Sequence, residues 1–342
     1  MQIFQDVRQA NISGPTWLTI GNFDGLHRGH QVLLETLQEQ SNQGGNKGIS
    51  GILTFEPHPL SVLQPDRTIK LLTTPQERVT LADHLGIDIG IVQPFDSKFA
   101  ALDVRDFLML FKRHLGLAGL VVGPDFAMGR GRSGDIHALY QLSTELDFEL
   151  IVLSSVDFQD KSIRSSAIRQ FLIDGEVENA STFLGRNYHL AGVVEMGDQR
   201  GRQIGVPTAN LRADENKLLP RNGVYATRTW IVPESNVLSS SLSSATLLTA
   251  DLAAQRAPVF NSVTNLGIRP TVDGHSHRIE THLLDFPPQG ISSNLYGQTL
   301  VVEFFRRFRD DQRCSGLEAL IIQIQADIKQ ARKYFWKLNL DE

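Results

Sequence analysis

Two histidines three residues apart, His27 and His30, are well spaced to act together on a phosphate. They open a helical run, RGHQVLLETLQEQ, so both rings fall on one face of its first turn. A first turn also offers unpaired backbone N–H groups and the positive end of the helix dipole, which together favour an anion. Ahead of it stand an apolar strand, Leu18-Thr19-Ile20, and the turn Gly21-Asn22-Phe23-Asp24-Gly25, whose glycines let a phosphate approach the backbone. Three readings fit the stretch: an ordinary βα turn, a His-x-x-His pair pinching a metal, or nucleotidyl transfer. In the last, the imidazoles donate to a phosphate as charge builds on it.

Further segments carry groups of the same kind. In TFEPHPL, residues 54–60, prolines flank His58 and predict a stiff extended loop rather than a helix. VVGPDFAMGRGRSGD, residues 121–135, sets Asp125, Arg130 and Arg132 among glycines, as in a surface hairpin or a nucleotide clamp. KSIRSSAIRQFL, residues 161–172, opens a helix with Ser165 or Ser166 as N-cap and Arg169 one turn in. GDQRGRQIGVPTANL, residues 197–211, joins a glycine-rich loop holding Gly201, Arg202 and Gly205 to Pro207-Thr208-Ala209-Asn210. In an extended strand Thr208 and Asn210 point to the same side, so their oxygens can converge on one cation or phosphate. Neutral oxygen ligands suit magnesium shared with nucleotide phosphates, although a plain turn fits the same residues. Glu280, in IETHLLDF, alternates with His282 and Leu284, a mixed face that leaves a solvent-facing residue and a general base equally open.

The elements that position these groups fall into two kinds. From residue 16 to about 185, apolar runs (TWLTIG, ISGILTF, IDIGIVQPF, LAGLVVG, FELIVLSS) alternate with amphipathic ones at 28–40, 75–85, 103–115 and 135–146. Such alternation predicts a parallel sheet covered on both faces, with ligands at the carboxyl ends of its strands. Asp103 reads as the N-cap of the third helix and Gly116 as its close. Near residue 186 the character changes to short β segments without helices between them, which predicts a small closed barrel. A serine-rich stretch, 232–257, reads as a loop inserted between barrel strands. A final amphipathic helix carries Leu317, Leu320, Ile321, Ile324 and Ile328 as its apolar stripe.

Composition excludes several classes. A hydrophobic content of 41% and a charged content of 21% are those of a globular protein, long enough at 342 residues for two cores. A net charge of −5 supplies no basic excess for a nucleic-acid partner. One cysteine, Cys314, excludes an intrachain disulfide and a cysteine metal cage. Without a signal-like start or a membrane-spanning apolar run, the expectation is a cytoplasmic enzyme with no membrane partner; a weak homo-oligomer is left open.

GNFDGLHRGH resembles the signature of nucleotidyltransferases related to class I aminoacyl-tRNA synthetases, in the version found in prokaryotic bifunctional riboflavin kinase/FMN adenylyltransferases (FAD synthetases). The stretch from GRNYHLAG to PTANL, with NLGIRPT, IETHLLDF and NLYGQTLVVEF, resembles the riboflavin kinase signature, and the likeness spans nearly everything but the serine-rich insert. It implies a Rossmann-like adenylyltransferase domain at 1–186, α/β in class, and a β-barrel kinase domain at 187–342. It implies phosphorylation of riboflavin to FMN and adenylylation of FMN to FAD, with ATP as co-substrate, Mg²⁺ in both steps and FMN and FAD as product ligands. By this likeness His27 and His30 stabilise the transferring phosphate, and Glu280 is the kinase base. Gly21, Asn22, Phe23, Asp24, Gly25, Asp125, Arg130, Ser165, Ser166 and Arg169 bind ATP in the first domain, and Phe55, Pro57 and His58 the flavin. In the second, Gly201, Arg202, Gly205, Pro207, Thr208 and Asn210 bind ATP, the last two holding Mg²⁺. The chain departs from the family where Arg164 and Ser166 replace a serine and a threonine, and where Cys314 replaces an aromatic. A different small-molecule adenylyltransferase would not explain the PTAN barrel. A non-catalytic flavin-binding module would not need the phosphate-handling residues.

Overall fold

The computed structural model describes residues 1–43, 48–154, 157–158, 161–197, 201, 204–233, 257–271, 274–286, 294–312 and 314–341. Packing divides the chain into two units, Met1–Ser165 and Ser166–Glu342, a division earlier in the chain than the change of composition near residue 186.

In the first unit β1 (Gln2–Phe4), β2 (Thr16–Ile20), β3 (Ile49–Glu56), β4 (Ile89–Pro94), β5 (Leu117–Val122) and β6 (Glu149–Val152) form one parallel sheet. Its order is β1-β4-β3-β2-β5-β6. Between them run α1 (Arg28–Ser41), α2 (Pro59–Leu63), α3 (Pro75–His84), α4 (Ser97–Ala100), α5 (Val104–Leu115) and α6 (Ile136–Leu146). β2 is buried along its whole length because both its faces are covered. Leu18 and Ile20 enter one core with Leu108 and Phe111 of α5, while Trp17 enters the other with Leu33 and Leu37 of α1. From the neighbouring strands β2 and β5 the chain departs in opposite directions, so their carboxyl ends form the crevice where such sheets hold ligands.

The helix limits follow from side chains. The Asp103 carboxylate accepts the Asp106 N–H at 2.8 Å and opens α5; Gly116 closes it at φ 59°, where an added Cβ would meet the Ser13 carbonyl oxygen. α3 begins in a capping box between Thr74 and Glu77. One expectation is corrected here. TFEPHPL is not extended throughout, because His58 caps α2 and Pro59 occupies its first position, where a missing N–H costs nothing. β1 was not expected; it pairs with β4 at the sheet's edge.

A two-residue pair, β7 (Asp157–Phe158) with β8 (Lys161–Ser162), leads to α7 (Ser165–Asp174) and α8 (Val177–Leu184). The antiparallel strands β9 (Tyr188–Glu195), β10 (Ala209–Ala213), β11 (Gly223–Ile231), β12 (Val259–Thr271), β13 (Gly274–Leu283) and β14 (Thr299–Arg309) then close a barrel in the order β10-β13-β12-β11-β14-β9. α9 (Leu317–Asp341) follows. Alternate positions point inward, where Tyr225, Leu300 and Phe304 are joined by a chain of buried hydroxyls. Thr227 lies 2.8 Å from Ser262 and 2.7 Å from Thr264, which lies 2.9 Å from Thr281. A hydroxyl can both donate and accept, which is what permits such a chain of polar groups in a closed interior.

Outward-facing residues of β11, β12 and β14 meet α9 instead. The apolar stripe read from the sequence is corrected accordingly: Leu317 is 61% exposed, and Leu320, Ile324 and Ile328 line a cavity. The buried positions of α9 are Asp327, Ala331 and Phe335. Residues 234–256 of the serine-rich stretch, and Arg202, lie outside the described residues. Among the described residues no helix is long and apolar enough to cross a membrane.

Candidate functional site

Each unit holds a candidate site. In the first, the turn between β2 and α1 runs through left-handed backbone at Phe23, Gly25 and Leu26, with φ of 47°, 86° and 38°. Positive φ at Phe and Leu is uncommon and persists only where the surroundings impose it. The Asp24 carboxylate does so. It accepts N–H groups from Leu72 at 3.0 Å and Thr73 at 2.9 Å, and the Arg78 guanidinium at 3.2 Å, with both charged side chains almost fully buried. Gly25 N–H donates to the Thr73 hydroxyl at 2.8 Å. Asp24 is thus an anchor that binds residues 72–78 to the turn, rather than a group facing a phosphate.

His27 caps α1: its Nδ1 accepts the His30 N–H at 3.4 Å. A neutral His27 ring therefore carries its proton on Nε2. The His30 ring stacks on it and meets the edge of Phe23 with 5.2 Å between centroids. Burial, then the nearby charges of His27 and Arg78, hold the His30 pKa well below its ordinary value, so this ring is neutral. Its Nδ1 is buried and has no hydrogen-bond partner.

Around this pair the expected residues divide. Gly21 and Asn22 are held by backbone bonds to Leu53 and from the Thr54 hydroxyl. Asp125, 87% exposed, lies 3.8 Å from Arg164, and Arg132 donates to its carbonyl at 3.0 Å. Arg132, not Arg130, lines the open cavity of about 340 Å³ shared with Asp125, Phe126 and His137. The Ser165 hydroxyl donates to the Asp24 carbonyl at 2.8 Å, which ties the start of α7 to the His-bearing turn. Neither serine stands ahead of the helix, since α7 already includes Ser165; Ser166 and Arg169 belong to the second unit. Phe55 packs on Phe95 with 5.3 Å between centroids, and the His58 Nδ1 accepts the Leu60 N–H at 3.2 Å. Both have structural partners, and Pro57 beside them is exposed.

In the second unit a cavity of about 550 Å³ lies between the barrel wall and α9, within the range of small-molecule sites. Gly201, Thr208, Asn210, Asn265, Glu280 and His282 line one side. Pairing explains the convergence: Glu280 stands opposite Asn210 on β10 and opposite Asn265 on β12, so three polar residues form a row across three strands. Arg278 pairs with the Glu280 carboxylate and fixes its direction. Two glycines make room. An added Cβ at Gly197 would fall on the Asn210 amide, and one at Gly201 on the Val206 carbonyl. Gly205 has φ 75°, while Pro207 is exposed at the start of the turn.

The opposite wall is set by an ion pair. Arg309 of β14 holds Asp327 of α9 through two hydrogen bonds of 3.0 and 2.7 Å, and Gln323 donates to the same carboxylate at 3.0 Å. That partner raises the Arg309 pKa further. Sequence reasoning did not find this pair, nor Arg278 and Asn265. The Asn265 Oδ1 is buried without a partner beside the cavity. No sequence signal pointed to it, because the asparagine gains meaning only from its strand partner Glu280.

Comparison with known proteins covers both units. A family model described as FAD synthetase matches residues 9–167, and one described as riboflavin kinase matches residues 184–335. A bifunctional riboflavin kinase/FMN adenylyltransferase of Escherichia coli (strain K12) is 34% identical over 321 residues, covering 93% of this chain and 92% of its own. Its counterpart in Haemophilus influenzae is 30% identical over 337 residues, covering 98% and 99%. A Streptococcus pneumoniae structure described as a macrolide-efflux protein shares the fold with a TM-score of 0.80 and 26% identity, over 96% of this chain and 98% of that one.

Proposed function

The chain belongs to the bifunctional riboflavin kinase/FMN adenylyltransferase family, and on that premise we propose which of its residues do the work. The enzyme phosphorylates riboflavin with ATP to FMN and ADP, and adenylylates FMN with ATP to FAD and pyrophosphate. We assign the first step to residues 187–342 and the second to residues 1–186. One observation carries the kinase assignment: Thr208, Asn210 and Glu280 line a single cavity.

In that cavity Glu280 takes the proton of the terminal ribityl hydroxyl as the oxygen attacks the γ-phosphorus of ATP, and ADP leaves. Arg278 keeps the carboxylate aimed. The apolar side chains Leu320, Ile324 and Ile328 offer a surface for the flavin ring. Among the described residues no cluster of three acidic, histidine or cysteine side chains could hold a metal alone. The neutral oxygens of Thr208 and Asn210 would suit magnesium shared with the nucleotide, which would neutralise its phosphates.

In the adenylyltransferase site a phosphate oxygen of FMN attacks the α-phosphorus of ATP and pyrophosphate leaves. His27 and the neutral His30 act as N–H donors to the charge that develops, supported by the first turn of α1. Gly21, Asn22, Asp125, Arg130, Arg132, Ser165, Ser166 and Arg169 remain the candidates for the ATP phosphates, and Pro57 for the flavin edge. Asp24 shapes the turn that presents the histidines. Substrates made and used inside the cell favour a cytoplasmic enzyme.

Incubation with riboflavin and Mg-ATP, followed by chromatography, tests the assignment. Wild type yields FMN and FAD, Glu280→Gln forms FMN from riboflavin about a hundred- to ten-thousandfold more slowly, and it still converts supplied FMN to FAD. FAD formation lost from supplied FMN in that variant would refute separate sites.

A further inference from the structure

The strand that carries Glu280 and the turn that carries Thr208 are joined by a side chain that neither activity has yet used, His282. Its Nδ1 lies 2.8 Å from the Pro207 carbonyl oxygen. A carbonyl can only accept, so Nδ1 is the donor and a neutral ring keeps its lone pair on Nε2. Burial pulls the His282 pKa below its ordinary value, against the opposing effect of that bond. The ring is therefore held as a neutral, fixed tautomer on the wall of the cavity.

The position of this bond gives it a purpose. Pairing between β10 and β13 begins at Ala209, opposite Thr281. Pro207 and Thr208 precede that ladder, and Pro207 has no N–H of its own to join it. His282 stands two residues beyond Glu280 on the same face of β13, so its side chain extends the ladder past its last backbone pair. Without it, Thr208 would be tethered to β13 only through the residues that follow.

We propose that His282 is a positioning residue of the kinase site, holding the Pro207–Thr208 turn at a set distance from Glu280. The nucleotide phosphates and the proton acceptor then address one substrate. This inference rests on the kinase assignment of the cavity. It is independent of the adenylyltransferase site.

The test compares His282→Asn with His282→Leu, two side chains of nearly equal shape. The Asn amide nitrogen takes the place of Nδ1, and Leu offers no donor. Equilibrium binding of Mg-ADP is measured by calorimetry, and KM for ATP and riboflavin by FMN formation. The loss of one neutral hydrogen bond predicts Mg-ADP binding weakened about three- to tenfold in the Leu variant, with KM for ATP raised alike. The Asn variant should recover to within about twofold of wild type, and riboflavin affinity should stay unchanged in both. His282→Ala repeats the donor-free arm with a smaller side chain, should the Leu variant not fold. Wild-type binding in the donor-free variants would overturn the proposal. So would an Asn variant as weak as Leu, or riboflavin affinity lost in parallel with that for Mg-ADP. If Glu280→Gln itself retains FMN formation, the kinase assignment has failed, an outcome distinct from these.

Discussion

The imidazole rings of His27 and His30 lie face to face, 3.6 Å between centroids and 13° from parallel. Two imidazolium charges at that separation would repel strongly in a buried site, so both rings are not charged at once, and His30 is the one held neutral. Replacing both by Ala should lower FAD formation from FMN by at least about a hundredfold, the scale for losing such donors. FMN formation from riboflavin should stay near wild type. Equal loss of both activities would show that the histidines serve the fold instead.

The same pair predicts an acid-sensitive N-terminal unit. With the His30 pKa lowered in the folded state, the unfolded chain binds more protons between that value and the ordinary one of about 6.5. The stabilising contribution is complete above pH ~6.5 and is lost as pH falls through the window below it. Urea midpoints for wild type and His30→Asn, followed from about pH 7.5 to about pH 5.5, should converge on acidification. Parallel curves would mean that His30 is not held neutral by the fold.

Arg78 is 54 residues from Asp24 in the chain and pairs with it in the interior of the first unit. Arg78→Ala leaves a buried carboxylate with its main countercharge removed. Such losses cost roughly 3–5 kcal/mol, whereas removing both charges together costs much less. Chemical denaturation should show the single variant strongly destabilised and Asp24→Asn/Arg78→Met partly restored. A double variant no better than Arg78→Ala would mean that the loss is one of packing rather than of charge.

Glu280→Gln keeps the size of the side chain and removes its capacity to take a proton. FMN formation should fall about a hundred- to ten-thousandfold, the range for a lost general base. Binding of riboflavin, followed by quenching of its fluorescence, should change little. Turnover above about half of wild type would exclude Glu280 as the base.

Elements governed by local pattern were legible in the sequence. The strand, turn and helix around His27 follow from an apolar run, a glycine break and 3.6-residue periodicity, and α5 from its Asp103 cap and Gly116 close. Long-range partnerships were not. The family likeness sets Asp24 among the ATP-binding residues, yet its carboxylate faces inward because Leu72, Thr73 and Arg78 reach it from a distant segment. The family likeness offers Phe55 and His58 to the flavin, yet the Phe95 ring and the cap of a short helix claim them. The stripe on α9 was visible, but an apolar face does not say whether it meets a core or a cavity. β1 is three residues long, too short to carry a periodic signal.

The hydroxyl chain inside the barrel bears on how that unit responds to temperature. Thr227, Ser262, Thr264 and Thr281 occupy interior positions that hydrocarbon fills in most cores. Unfolding there exposes polar surface, which lowers heat capacity, alongside the apolar surface that raises it. These hydroxyls therefore make the barrel's heat-capacity increment smaller than that of the same barrel with hydrocarbon in their place. Its stability curve is correspondingly broader and shallower than that of an all-hydrocarbon barrel, so less of the barrel's stability is lost on cooling.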